Sequence, residues 1–237
     1  MSAACDGGSR ASHSKEAIAV QIESTPANPG KKAAIEALNI DRRGFILASA
    51  LVVAACYGNG VAWARSNDVL ILDDFSRDDL ISTLGTPWRG FSDRVMGGIS
   101  QETITLTEIE GRRCLRLTGD VRLENNGGFI QMALDLAPKG RTLDASDYRG
   151  VLLAVRGNGE TYGVHFRTPD CVRPWQSYRA NFVTGPEWQE IRLPFDRFEP
   201  HRLTAPLDVR HLRRIGLVAI GRAFHADLAV SAIGLYG

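Results

Sequence analysis

The 237-residue sequence has neither an excess of one charge nor an apolar run long enough to cross a membrane. Lys and Arg number 28 and Asp and Glu 27, so the net charge is only +1. This balance argues against a dedicated nucleic-acid-binding protein. The longest mainly apolar stretch extends from Phe45 to Ala55, whereas a spanning helix needs about 20 apolar residues. A permanent membrane span is therefore not expected.

Cysteine is also scarce, with four residues in the chain. Cys114 and Cys171 lie in the part that is predicted to fold, without a Cys-x-x-Cys motif or a paired histidine spacing. A zinc site is therefore not expected. In an exported protein two thiols can form a disulfide, so a bond between Cys114 and Cys171 and two unpaired thiols both remain open.

Motifs of the common enzyme classes are absent. The sequence has no Gly-x-Ser-x-Gly motif and no phosphate-binding glycine loop followed by Lys-Ser/Thr. The pairs Asp73-Asp74 and Asp78-Asp79 could suggest glycosidase carboxylates, but adjacent residues of a strand point to opposite faces. We interpret both pairs as solvated loop charge and His165 as a surface or structural histidine. No enzyme activity, metal or other cofactor is expected.

The first 64 residues have the composition of targeting segments. Residues 1–40 are predicted to be a disordered leader, because they contain nothing that could close a core. Residues 41–64 have the charged, apolar and small-residue order of an export signal. The sequence Arg42–Ile46 resembles a twin-arginine signal, which predicts a periplasmic or otherwise exported protein. Cleavage after Ala64 and lipidation at Cys56 both remain open, and that lipid is the only membrane attachment expected.

Residues 68–237 contain segments with the period-two alternation of half-buried strands, together with short apolar runs at 151–155, 215–220 and 228–236. The predicted strands cover residues 103–107, 130–136, 151–155, 162–167, 178–182, 191–195, 215–220 and 228–236. The only helical candidate is a short stretch at 208–214, so parallel strands would lack their crossover helices. The sequence therefore predicts an all-β domain, an antiparallel β-sandwich of about eight to ten strands.

Three glycine-containing segments stand between predicted strands. The segment Asp93–Ser100 has two adjacent glycines, which suit positive φ or a close backbone approach. The segment Glu124–Phe129 contains an Asn-Gly pair, which is typical of a hairpin and predicts a positive φ at Gly127. The segment Arg156–Tyr162 is predicted to be a hairpin whose first and last residues face each other across the turn.

With two later motifs, these segments resemble the complex I intermediate-associated protein 30 family. The motifs occur in the family order and comprise Ser92–Ser100, Glu124–Phe129, Arg156–Tyr162, Tyr178–Phe182 and Trp188–Phe195. The resemblance covers nearly all of residues 70–236 and implies a galactose-binding-like jelly-roll sandwich. Mitochondrial members of this family are assembly factors for respiratory complex I without a demonstrated catalytic role.

The sequence departs from the family pattern in two residues and in its targeting. Asn158 stands where the family often has Asp, and His201-Arg202 replaces the usual Arg-Gly. The export signal places the chain across the membrane from the matrix-like compartment of the mitochondrial factor. The resemblance therefore carries over the fold more directly than the assembly role.

These observations predict a non-catalytic binding or assembly module that holds a protein partner in the cell envelope. The alternative is a carbohydrate-binding module in which Trp175 stacks on a sugar ring. Loops of a jelly roll gather at its two ends, so the glycine segments are expected to border one surface, fixed by an ion pair between Asp93 and Arg156. The candidate binding residues are Asp93, Arg94, Asn125, Asn126, Arg156 and Trp175.

Overall fold

The computed structural model describes residues 69–237, except for the side chain of Asn126. The predicted leader (1–40) and export signal (41–64), with Cys56 and Ala64, lie outside the described residues. Within the described part the chain forms β-strands and short 3₁₀ turns, and no α-helix. None of its helices is long and apolar enough to cross a membrane.

Twelve strands make up the described part of the chain. They are β1 (Val69–Asp73), β2 (Trp88–Ser92), β3 (Gln101–Ile109), β4 (Arg112–Val121), β5 (Phe129–Asp135), β6 (Gly150–Gly157), β7 (Thr161–Arg167), β8 (Ser177–Val183), β9 (Gln189–Pro194), β10 (Glu199–His201), β11 (Arg214–Ile220) and β12 (Phe224–Tyr236). All eight predicted strands are present. The pattern did not predict β1, β2, β4 and β10, and the helical candidate at 208–214 contains only the 3₁₀ turn Val209–His211.

The strands form two antiparallel sheets, as predicted. The first sheet has the order β3-β4-β12-β6-β9, with β1 also paired to β12. The second has the order β10-β8-β7-β11-β5-β2. Alternate residues of both sheets meet in one core, for example Leu117 of β4 in the first sheet and Phe166 of β7 and Leu217 of β11 in the second. The intervening residues of the second sheet therefore form its outer face.

Two predicted hairpins are wrong because consecutive strands change sheet. β4 belongs to the first sheet and β5 to the second, and β6 and β7 are divided in the same way. Arg156 consequently pairs with Ala229 and Tyr162 with Phe182, so they do not face each other. The expected positive φ at Gly127 is also wrong, since its φ is −74° and the left-handed turn residue is Asn125, with φ 58°.

The prediction that Asp73 is solvated loop charge is wrong. Its carboxylate is buried and accepts hydrogen bonds from the Trp88 indole N–H at 2.7 Å and the Phe75 backbone N–H at 3.1 Å. Burial raises the pKa of Asp73 in spite of these bonds. Cys114 of β4 and Cys171 of the β7–β8 loop are both buried free thiols, so the disulfide left open by the sequence does not form.

Candidate functional site

The loops β2–β3, β4–β5, β6–β7 and β11–β12 lie at one end of the sandwich, because the antiparallel register brings the ends of their strands together. The backbone N–H of Gly221 donates to the Gly128 carbonyl at 3.0 Å. Arg222 forms an ion pair with Glu160. The structure thus gathers all three glycine segments at this end.

Asp93 ties two of these segments together from the inside. Its carboxylate accepts hydrogen bonds from the backbone N–H and the hydroxyl of Ser100, from the Gly128 N–H at 2.6 Å and from the Phe129 N–H at 3.3 Å. Burial disfavours its ionised form, but the hydrogen bonds outweigh this effect and lower the pKa of Asp93. The side chain is fully buried, so it positions the loops and presents no surface to a partner.

The glycines of the two motifs make room for this carboxylate. A Cβ atom added to Gly98 or Gly127 would lie closer than 3.0 Å to the oxygens of Asp93, a distance that real side chains do not tolerate. Gly128 has φ 129° and directs its N–H to the same carboxylate. Close packing around Asp93 therefore explains Gly98 and Gly127, whereas Gly97 and Gly128 are required by their positive φ angles of 92° and 129°.

The expected ion pair between Asp93 and Arg156 is absent from the described residues. Arg156 instead places a guanidinium nitrogen 2.8 Å from Glu110, on the outer face of the first sheet. It borders a small cavity of about 250 Å³ beside the Arg116–Asp227 ion pair. Arg156 lies at the same end of the sandwich as the glycine segments, but its side chain is on the outer face of the first sheet.

The remaining predicted site residues divide between the two ends of the strands. Arg94 and Asn125 are exposed in the loops that Asp93 connects. The side chain of Asn126 lies outside what the structure describes. Trp175 lies in the β7–β8 loop, at the opposite end of the strands, and is 51% exposed.

A groove of about 510 Å³ crosses the outer face of the second sheet. Its floor comes from the outward residues of β5, β7, β8 and β11. In the register, Arg179, His165, Gly216 and Ala133 form one row across these four strands. Gly216 has no side chain of its own, and it lines the groove together with the neighbouring Gln131 side chain.

Exposed apolar side chains border this groove on both sides. Val95, Met96 and Leu123 belong to the loops that Asp93 holds, with exposures of 72%, 50% and 50%. Trp175 borders the groove from the loop at the other end. We call these four residues the apolar rim. Most large apolar residues of a soluble chain are buried, so a cluster of four at one depression is unusual.

Among residues 69–237, three arginines line the groove and no Asp or Glu does. Arg167 donates hydrogen bonds to the carbonyls of Cys171, Arg173 and Pro174, and so fixes the loop that carries Trp175. Arg179 donates to the Ser177 hydroxyl at 2.9 Å. Of these three arginines, only Arg214 has a carboxylate partner within the described residues, namely the Asp135 side chain at 2.7 Å.

The polar groups of the floor are partly desolvated. Burial is the main cause that lowers the pKa of Arg167 and of Arg179, and neighbouring arginines add to it. Burial, with the charge of Arg179, also lowers the pKa of His165 to about 3. His165 is therefore neutral at physiological pH, and the arginines supply the positive charge of the groove.

Sequence reasoning missed these arginines and most of the apolar rim. Arg167 and Arg179 occupy outward positions of predicted strands, so alternation alone could place them on an outer face. Arg214 belonged to the helical candidate at 208–214, and the structure makes it the first residue of β11. Within residues 69–237, no three side chains of His, Cys, Asp or Glu come together in a group that could hold a metal ion.

Comparison with solved structures finds similar sandwiches among carbohydrate-binding modules. The family 11 module of the cellulosomal cellulase Lic26A-Cel5E of Clostridium thermocellum is 14% identical, with a TM-score of 0.56, covering 71% of this chain and 94% of the module. The same module has been solved with a β-1,3-1,4-mixed-linked tetrasaccharide (TM-score 0.54, 14% identity, 72% and 96% covered). The family 30 module of the C. thermocellum cellulase Cel9D-Cel44B gives 0.52 at 16% identity, covering 71% and 98%. At these identities the likeness establishes the jelly-roll fold.

The sequence itself gives the more specific relation. No curated protein matches it significantly. The family model described as complex I intermediate-associated protein 30 matches residues 74–230. This range contains all five motifs from Ser92 to Phe195, including the segments that close around Asp93. The chain therefore belongs to the complex I intermediate-associated protein 30 family.

Proposed function

We propose that the protein is a non-catalytic binding module that holds a partner protein in the cell envelope, with the groove as the docking site. The apolar rim is the observation that carries this proposal. Large exposed apolar patches mark interaction sites in soluble proteins, and burial of such side chains contributes about 25 cal/mol per Å². Membership of a family that includes assembly factors supports the same function.

The composition of the rim favours a protein over a glycan. Three of its four members are the aliphatic side chains Val95, Met96 and Leu123, and Met is enriched at protein interfaces. A sugar ring is held mainly by stacking on flat aromatic faces, and the rim offers only Trp175 for this purpose. The fixed loops keep both sides of the groove in place, which lowers the entropic cost of docking.

A carbohydrate ligand is the second candidate. Trp175 is an exposed aromatic side chain beside a groove, and the similar family 11 module has been solved with a tetrasaccharide. In this case Trp175 would carry most of the binding energy, whereas Met96 and Leu123 would contribute little. The two candidates therefore differ in which rim residue matters most.

Affinity capture from the envelope fraction of the native host tests the proposal. The bait is the tagged full chain, compared with Met96→Asp in the rim and with Val183→Asp, which changes an exposed apolar residue outside the groove. We expect one protein to be captured by the wild type and by Val183→Asp, and lost with Met96→Asp.

A glycan array on the same three proteins and on Trp175→Ala completes the experiment. Glycan binding that Trp175→Ala abolishes and Met96→Asp preserves would establish the second candidate instead. Equal capture by Met96→Asp and the wild type would show that the partner docks elsewhere. Fractionation of the host also tests the location, since the precursor is expected to cross the inner membrane.

A further inference from the structure

The charge of the groove indicates the chemistry of what enters it. Elsewhere in the described residues many arginines pair with carboxylates, such as Arg116 with Asp227 and Arg156 with Glu110. Arg167 and Arg179 have no carboxylate partner in that part of the chain, although both line a partly desolvated surface. Burying a charge without a counter-charge is costly, and a bound anion would offset this cost.

The register increases the concentration of positive charge. Arg167 and Arg214 are directly opposite each other on the neighbouring strands β7 and β11. Like charges at opposed positions destabilise a sheet. Asp135 faces Arg214 from the other side and compensates one of these charges. The charge of Arg167 and that of Arg179 remain without a carboxylate within the described chain.

Of the two groove arginines without a carboxylate partner in residues 69–237, Arg179 has more hydrogen-bonding capacity left for a ligand. A guanidinium has five N–H donors. Arg167 uses three hydrogen bonds to hold the Trp175 loop. Arg179 uses one to Ser177 at 2.9 Å and a long one to the Trp175 carbonyl at 3.4 Å. The planar fork of Arg179 therefore keeps donors for a carboxylate, which guanidinium groups bind in a bidentate manner.

We propose that the partner enters the groove with an acidic peptide segment, whose carboxylate pairs with Arg179 while its apolar side chains pack against the rim. This inference rests on the proposed function, because it names the segment that the docking site accepts. The positive charge of the groove favours an acidic residue in the segment, and the aliphatic side chains of the rim favour apolar residues next to it. A small inorganic anion would satisfy the arginines but leave Val95, Met96 and Leu123 exposed.

A double-mutant cycle tests the pairing. A random peptide library is selected on the immobilised full chain, and the best binder is synthesised in two versions. The acidic peptide keeps its Asp and Glu residues, and the amide peptide has Asn and Gln in their place. Binding is measured by fluorescence anisotropy to the wild type, to Arg179→Gln and to Arg141→Gln. Arg141 is an exposed arginine outside the groove and serves as the matched control.

We expect the selected peptides to be enriched in Asp and Glu. Arg179→Gln should weaken the acidic peptide at least about tenfold, the typical effect of one charged hydrogen bond. Arg141→Gln should not change its Kd. The amide peptide should bind the wild type as weakly as the acidic peptide binds Arg179→Gln. The Arg179→Gln substitution should not weaken binding of the amide peptide further, because the cycle isolates the pair. If Arg179→Gln does not fold, Arg179→Lys serves in its place, since it keeps the charge and loses the fork.

The contrary outcomes separate the inference from the proposed function. The selected peptides could lack acidic enrichment, with binding that Met96→Asp abolishes and Arg179→Gln does not change. This result would overturn the proposal of an acidic segment but would still support the groove as the docking site. Tight binding of an acidic oligosaccharide such as oligogalacturonate, with no peptide selected, would overturn both and assign the arginines to a glycan. Failure to select any peptide, together with no captured protein, would also overturn both.

Discussion

Replacing Asp93 by Ala should destabilise the protein far more than replacing an exposed carboxylate. The substitution leaves the buried N–H groups of Ser100 and Gly128 without an acceptor, in place of hydrogen bonds of 2.9 and 2.6 Å. A buried donor without a partner costs about 1–3 kcal/mol, so two of them cost about 2–6 kcal/mol. The Ser100 hydroxyl can turn to the Arg122 carbonyl, 3.2 Å away, and adds nothing to this sum.

The loss is measurable as a change in melting temperature. For a domain of this size 1 kcal/mol corresponds to about 2–4 °C, so the middle of the range, about 4 kcal/mol, predicts a fall of about 8–16 °C. The matched control is Asp120→Ala, which removes an exposed carboxylate paired with His225 and should change the stability by less than about 1 kcal/mol. Thermal and urea unfolding followed by circular dichroism measure both variants. Equal melting temperatures for the two variants would refute the role given to Asp93.

The pH dependence of stability gives an independent test of the same carboxylate. The pKa of Asp93 is lower in the folded state than its ordinary value, so the unfolded state binds more protons as the pH falls. Its contribution is therefore present above about pH 4 and is lost as the pH falls through the folded pKa. We expect the stability difference between wild type and Asp93→Asn to shrink below about pH 4. A difference that grows in acid would contradict this sign.

Three further predictions concern a glycine, a thiol and the export signal. Gly127→Ala should cost about 1–3 kcal/mol because its Cβ would meet the Asp93 carboxylate, whereas Gly185→Ala, in open space, should leave the urea midpoint nearly unchanged; equal midpoints would contradict the contact. Cys114 is buried and burial raises its pKa to about 11, so iodoacetamide should label it only after unfolding, and rapid labelling of the native protein would show the site to be open. Replacing Arg42-Arg43 by two lysines should retain the precursor in the cytoplasm, as seen by cell fractionation, and normal export of that variant would exclude the twin-arginine route.

Local patterns predicted the strands better than the connections between them. Alternation in β5 and β7 depends only on which residues face the core, so it is visible in each segment by itself. A turn signal cannot show whether the next strand pairs with the previous one or crosses to the other sheet. This is why the Asn-Gly segment and the segment from Arg156 to Tyr162 were predicted to be hairpins and form crossovers instead.

The candidate site was predicted only in part for the same reason. The sequence indicated that the glycine segments share an end and that Trp175 is exposed, because loop placement and polarity are local properties. It could not show that Asp93 is enclosed by Gly98 and Gly127, since these residues meet only after β2 and β5 pair. The partner of Arg156 was likewise missed, because Glu110 approaches it through the order of strands in the first sheet.

The sequence by itself determined the all-β class, the family, and the outward positions of Arg167 and Arg179 on their predicted strands. These properties follow from the two-residue period of a strand and from ordered motifs, which need no knowledge of the neighbouring strands. Only the tertiary structure decided that Arg167, Arg179 and Arg214 meet in one groove between the loops of Met96 and Trp175. That meeting depends on the order β8-β7-β11-β5 and on the register between strands far apart in the chain. The register is set by how the whole core packs, which no single segment specifies.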